Sequence, residues 1–137
     1  MKKKEKSFSL EQFFSALADR TRLRLLNLMG KDEVCVCFFV EVLDMNQSKV
    51  SRHLAYLRKA GIVAVRRQGK WMHYRIIRPT DQLAAQMLDE LCLWLSQDKE
   101  MRSDRKRLTE VCCSPQPPIQ LLGAPRPSSL VLVDSRG

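Results

Sequence analysis

Asp44-Met45-Asn46-Gln47-Ser48-Lys49-Val50-Ser51-Arg52-His53-Leu54 decides how the rest of the chain is read. Asp44-Met45-Asn46 has the composition of a turn between two helices, and Asn46 is a good N-cap for the second of them. From there Val50, Leu54 and Leu57 recur at i, i+4 and i+7, the spacing of a helix with one face in a core and an end near Gly61. The opposite face carries Gln47, Ser48, Ser51, Arg52 and Ala55. These side chains are mostly short or hydrogen-bonding and enter a major groove without clashing, with Gln suited to adenine and Arg to guanine. A purely structural surface would more often pair Glu with Lys. A helix over roughly Cys37 to Leu43 precedes the turn, so the stretch reads as helix-turn-helix.

The charge distribution agrees. The 137 residues carry a net charge of +9, yet nine Lys or Arg and no Asp or Glu lie between Met45 and Thr80, while the remainder of the chain is balanced. An excess confined to one window points to a polyanion, because neutralising phosphates releases counterions and gives affinity without sequence preference. A chain of this length is one domain, or one domain plus a tail. It lacks an apolar run long enough to span a bilayer, and no signal-peptide core follows Met1-Lys2-Lys3-Lys4, so a cytoplasmic protein with no membrane partner is expected. An odd number of cysteines, five, in a reducing compartment suggests ligands, reactive thiols or core filler, not a disulfide framework.

Working outward, Leu10, Phe13, Phe14 and Leu17 have helical spacing within Ser9 to Ala18. Asp19 caps a second helix that Gly30 stops, and Lys31 to Val34 is a short connection. After the helix-turn-helix, Ile62 to Arg67 and Trp71 to Ile77 are rich in β-branched and aromatic residues and flank Gln68-Gly69-Lys70, a hairpin whose Arg66, Arg67 and Lys70 would touch phosphate or minor groove. Pro79-Thr80 starts a fifth helix with Leu83, Ala84, Met87, Leu88, Leu91, Trp94 and Leu95 on one broad face. That face and the first helix exceed what one small core needs, so a dimer interface is expected there. Asp98 to Val111 is highly charged with helix character. Five of the six prolines follow Ser114. The expected organisation is a basic extension over 1–7, a DNA-binding and dimerisation domain over 8–113, and a Pro-rich disordered tail over 114–137.

Helix, helix, helix-turn-helix and hairpin, followed by a long helix, is a winged helix-turn-helix layout, mainly α with a small β-hairpin. On it, Leu17-Ala18-Asp19-Arg20-Thr21-Arg22-Leu23-Arg24-Leu25-Leu26, Cys35-Val36-Cys37, Gln47 to Leu54 and Leu57-Arg58-Lys59-Ala60-Gly61 resemble the ArsR/SmtB family of metalloregulatory repressors, over roughly Phe8 to Ser96, and most closely its arsenite-responsive branch. The resemblance implies a homodimer, joined through its first and last helices, on an inverted-repeat operator in double-stranded DNA. It also implies release by a trivalent arsenical, arsenite or a methylated form, with antimonite as a related inducer and no cofactor required. Gln47, Ser48, Lys49, Ser51, Arg52 and His53, with Arg66, Arg67 and Lys70, are the expected DNA contacts. The chain departs from the pattern at Arg20, where relatives often carry Pro, and at Val40, where one subgroup has a third Cys. Cys112-Cys113 resembles a vicinal pair that other members carry near the C-terminus, and either completes the Cys35 and Cys37 site or forms a second one.

Soft metalloids favour thiolates. Arsenite is satisfied by three sulfurs and a monomethylated arsenical by two. In an ideal helix Cys35 and Cys37 would point about 200° apart, so their convergence on one atom requires a non-helical backbone at the helix start. Ligand binding is therefore expected to distort the start of the third helix, only three residues from the recognition helix. Cys92 reads as core filler within the fifth helix. The fifth helix has no His, which argues against a zinc site there, and residues 1–10 have no Cys, which argues against a cadmium or lead site of the type that uses N-terminal cysteines. A thiol redox sensor, or a repressor responsive to another soft metal (antimonite, cadmium or lead), on the same DNA-binding frame is the alternative. A small thiol enzyme is disfavoured, because no phosphate-cradling loop and no Cys beside a general base is present.

Overall fold

Polar side chains set the helix starts. In the computed structural model, which describes residues 8–113 and 121–130, Ser9 accepts from the Gln12 amide, Asp19 from Arg22, Asn46 from Lys49 and Asp81 from Ala84. Each cap satisfies an amide that has no partner within its own helix. The helices they open are α1 (Leu10–Leu17), α2 (Arg20–Met29), α4 (Gln47–Lys59) and α5 (Gln82–Leu95). The Asp19 and Asn46 caps are those expected from sequence, as is the stop at Gly30, whose φ of +53° suits a residue without Cβ. The fifth helix begins beyond Pro79-Thr80, at the better cap Asp81. Helix α3 (Val36–Leu43) ends at Asp44, in the left-handed region at φ 53°, ψ 50°, which leaves Asp44 to Asn46 as the turn before α4. Asp tolerates that region better than most residues with a Cβ.

The hairpin is present as β2 (Val63–Gln68) and β3 (Trp71–Ile76), paired antiparallel from Val63↔Ile76 to Gln68↔Trp71. Its turn is Gly69-Lys70, two residues and not the three read from sequence, with Gly69 at φ +59°. A further strand, β1 (Val34–Cys35), corrects the reading of this stretch as a plain connection. It pairs antiparallel with β3, Val34↔Tyr74 and Cys35↔His73, so β3 is the middle of a three-stranded sheet. Two residues are too few to show a period in sequence, and their pairing depends on a strand some forty residues away.

Phe13, Leu25, Leu26, Leu28, Met29, Phe39, Val50, Leu54, Leu57 and Ile62 are fully buried and form the centre of the core. Helix α6 (Lys99–Cys113) adds Met101 and Leu108 to it and seals the α2 side with a ladder of polar contacts. Arg24 grips Asp104 with two hydrogen bonds of 2.8 and 3.0 Å, Arg20 reaches Asp98 and Glu100, and the Asn27 amide donates to the Met101 carbonyl. Arg20, where relatives often carry proline, thus ties the start of α2 to the start of α6. Within the stretch read as a tail, residues 121–130 lie against the domain: Leu121 is buried, and the Ser129 amide and hydroxyl both donate to Asp32, in the turn just before β1. Among the described residues no helix is long and apolar enough to cross a membrane.

Phe39 is fully buried where α3 meets the core. Phe39→Ala should destabilise the fold by about 3–5 kcal/mol, measured as a lower denaturant midpoint with an unchanged slope.

Candidate functional site

Cys35 closes β1 and is also the residue before α3. Its backbone is extended, at φ −70° and ψ 142°, and Cys37 lies in the first helical turn. The extended residue turns its side chain back over the helix start, so the Cys37 thiol donates to the Cys35 sulfur at 3.2 Å. The two thiols therefore converge without any distortion of α3. The opposed geometry expected from an ideal helix does not arise, because only one of the pair is helical.

Cys35 is fully buried and Cys37 half-buried. The hydrogen bond from Cys37 lowers the Cys35 thiol to about 7, against the opposing effect of burial. The backbone amides of Cys37, Met72 and Val36 add to the lowering. Cys37 moves the other way, pushed up by its bond to Cys35, by burial and by the charge that Cys35 takes on. The pair thus releases one proton near neutrality and holds the second, a poise set by proximity. Bonds of roughly 2.3 Å from one central atom to both sulfurs, 3.2 Å apart, would subtend roughly 90° at that atom. A pyramidal trivalent centre suits that angle better than a tetrahedral ion does.

The other cysteines lie elsewhere. Cys112, on α6, is buried beside a small cavity lined by Phe38, Leu121 and Ala124. The Cys113 side chain falls outside the described residues. Cys92 is half-buried in α5, and burial raises its thiol. Among the described residues no three His, Cys, Asp or Glu side chains come together as a metal site.

On α4, Val50, Leu54 and Leu57 point into the core, and Gln47, Ser48, Lys49, Arg52 and Ala55 are exposed, with Ser51 half-buried. His53 is turned inward: its Nδ1 lies 3.2 Å from an Arg22 nitrogen and 3.8 Å from an Asp19 oxygen, and burial lowers its pKa. Arg22, in turn, stacks over the exposed Tyr56 ring at 4.1 Å. On the hairpin, Arg67 donates to the Gly69 carbonyl and Lys70 sits 4.8 Å from the Trp71 ring centre, both exposed. Arg66 is committed to Glu33, with both guanidinium donors on the carboxylate at 2.7–3.1 Å. Glu33, Met72 and His73 surround the Cys35 strand and were not singled out from sequence. The β-branched residues flanking Cys35, Val34 and Val36, were the one local hint of an extended segment there.

An apolar groove runs between α1 and α5, lined by Phe14, Leu17, Leu83, Met87, Leu91 and Trp94. Leu83 and Trp94 are 70% and 74% exposed, more than an isolated domain this small would leave uncovered.

Residues 19–65, from the start of α2 into β2, match the family described as "Bacterial regulatory protein, arsR family". The arsenical resistance operon repressor of Escherichia coli is 39% identical over 104 residues, which is 75% of this chain and 87% of that protein. The arsenic resistance transcriptional regulator ArsR1 of Pseudomonas putida is 40% identical over 111 residues, 77% of this chain and 82% of that one. Among solved structures, HlyU from Vibrio cholerae aligns with a TM-score of 0.55 at 26% identity, covering 64% of this chain and 91% of its own. The chain belongs to the ArsR family of bacterial transcriptional regulators. Its architecture is the winged helix-turn-helix, with α3 and α4 as the helix-turn-helix and β2–β3 as the wing.

Removing the donor to Cys35 should reverse its poise. In wild type a single thiolate should appear by ultraviolet absorbance with a midpoint near pH 7, and in Cys37→Ala that midpoint should move up toward the value of an ordinary thiol.

Proposed function

We propose that the protein is an arsenic-responsive transcriptional repressor, binding an inverted-repeat operator as a homodimer and leaving it when a trivalent arsenical bridges Cys35 and Cys37. The observation that carries this reading is the pair of thiols 3.2 Å apart at the start of the helix before the recognition helix. One sulfur is already close to the thiolate form at neutral pH, and the spacing suits a pyramidal centre. The names of the Escherichia coli and Pseudomonas putida relatives, both arsenic-resistance regulators, support the choice of inducer. Antimonite has the same valence and softness and would use the same two sulfurs.

Two protein thiolates satisfy a monomethylated arsenical. Arsenite takes a third sulfur, for which Cys112 and Cys113 are the candidates, from within the subunit or across the dimer. The groove between α1 and α5 is the proposed dimer interface, since Phe14, Leu83, Met87 and Trp94 need a cover and a second copy supplies one of the same chemistry. A two-fold pair of α4 helices then reads two half-sites. In each, Gln47, Ser48, Ser51 and Arg52 face base edges and Lys49, Arg67 and Lys70 face phosphates, with His53 bracing α4 against α2 from behind.

Fluorescence anisotropy of the reduced protein on an inverted-repeat operator, titrated with arsenite and with methylarsenite, tests the reading. Release by methylarsenite alone would make the site a two-thiolate one, and release by both would send the search for a third sulfur to Cys112 and Cys113. No release by either sinks the arsenic assignment. Cys35→Ser should bind the operator normally and fail to leave it. Arg52→Ala should cost about 1–3 kcal/mol of operator affinity and relax base preference, whereas Lys70→Ala should weaken all DNA alike and flatten the salt dependence.

A further inference from the structure

We propose that the wing is the element through which the thiol pair acts on DNA, and that Glu33 and Arg66 are the positioning pair that couples the two. This inference rests on the arsenical reading above and concerns how occupancy of that site is transmitted.

The sheet places the thiol strand and the wing side by side. Cys35 stands opposite His73 on β3, and His73 stands opposite Arg66 on β2, so one lateral row crosses all three strands. Two further contacts reinforce the row. The Met72 backbone amide, on β3, faces the Cys35 sulfur and helps to lower its proton affinity. Glu33, one residue before β1, reaches over the middle strand to hold Arg66 with both carboxylate oxygens. His73 is buried within the sheet and its Nε2 lies 2.9 Å from Gln68 Oε1, at the last residue of β2 before the Gly69-Lys70 turn. A continuous set of backbone pairings and side-chain contacts therefore leads from Cys35 to the end of β2.

The alternative route, through α3 into α4, has less to move. Cys35 precedes the helix and Cys37 occupies its first turn, where amides have no intrahelical acceptor. A centre bridging the two sulfurs breaks no helical hydrogen bond. It does load the sulfur of the last β1 residue, and β1 has only two residues with which to stay on the sheet. Strand β1 is thus the weakest joint next to the thiols. Loosening it moves Glu33, and Glu33 holds the wing through Arg66. Arg66 is accordingly assigned to the clasp and not to a phosphate. The ion pair is half exposed, at 52% for Arg66 and 25% for Glu33, and pairs of that kind add little to global stability. Its loss is expected to leave a folded protein.

The test uses the full chain with phenylarsine oxide as the trivalent probe, comparing wild type with Glu33→Gln and Arg66→Gln. Thiol titration reports binding of the probe, anisotropy reports operator affinity with and without it, and amide hydrogen exchange reports residues 63–76. In wild type the probe should lower operator affinity roughly tenfold or more and speed exchange in the hairpin. Both variants should still bind the probe, while the drop in operator affinity shrinks to under about threefold. An equal drop in all three proteins overturns the proposal, as does hairpin exchange that stays unchanged when wild type is loaded. A wild type that binds no probe, or stays on the operator when loaded, overturns the arsenical reading itself and this inference with it.

Discussion

The pairing of Val34 and Cys35 with Tyr74 and His73 is the constraint on which the rest of the site depends. It holds Cys35 extended, and an extended residue directly before a helix can turn its side chain back over the first turn. The thiol contact follows from that one backbone choice. So does the environment that lowers the Cys35 proton affinity, because the same pairing supplies the Met72 amide and places Cys35 beside the open amides at the start of α3. Were Cys35 part of α3, the two sulfurs would face different sides of the helix.

The pairing is short, and the surrounding structure compensates. Asp32, Glu33, Val34 and Cys35 are each anchored by a different part of the chain: Asp32 by Ser129, Glu33 by Arg66, and the two strand residues by β3. Behind them, α6 is bound to α2 through Arg24 with Asp104 and Arg20 with Asp98 and Glu100. Arg24 and Asp104 are largely buried, so removal of either would strand a charge. The thiol strand thus lies beside a helical frame tied together by ion pairs.

What was legible in sequence was local. The caps Asp19 and Asn46, the stop at Gly30, the i, i+4, i+7 face of α4 and the two hairpin strands all declare themselves within a few residues, and all are present. The acid-free charge of residues 45–80 was equally legible, because charge needs no partner to be counted. Strand β1 was not legible, since two residues carry no period, and with it went the true geometry of the thiols. The pairing of Arg66 with Glu33 was not legible, because the two lie 33 positions apart. The contacts of His53 with Arg22 and Asp19 were not legible either, because only the packed structure brings its ring to α2. The charged run after Asp98 suggested a helix, but only contacts some eighty positions apart show that it seals the domain.

The Ser129–Asp32 contact joins residues 97 positions apart. The turn that carries the thiol strand receives this anchor only by closing a loop of that length. Helices α1 to α4 can form locally, whereas closure across so long a loop comes late. Until that loop closes, β1 is held by its pairing with β3 and by the Glu33–Arg66 pair. The thiol strand is therefore fastened first by its own sheet and only afterwards by a residue from the far end of the described chain.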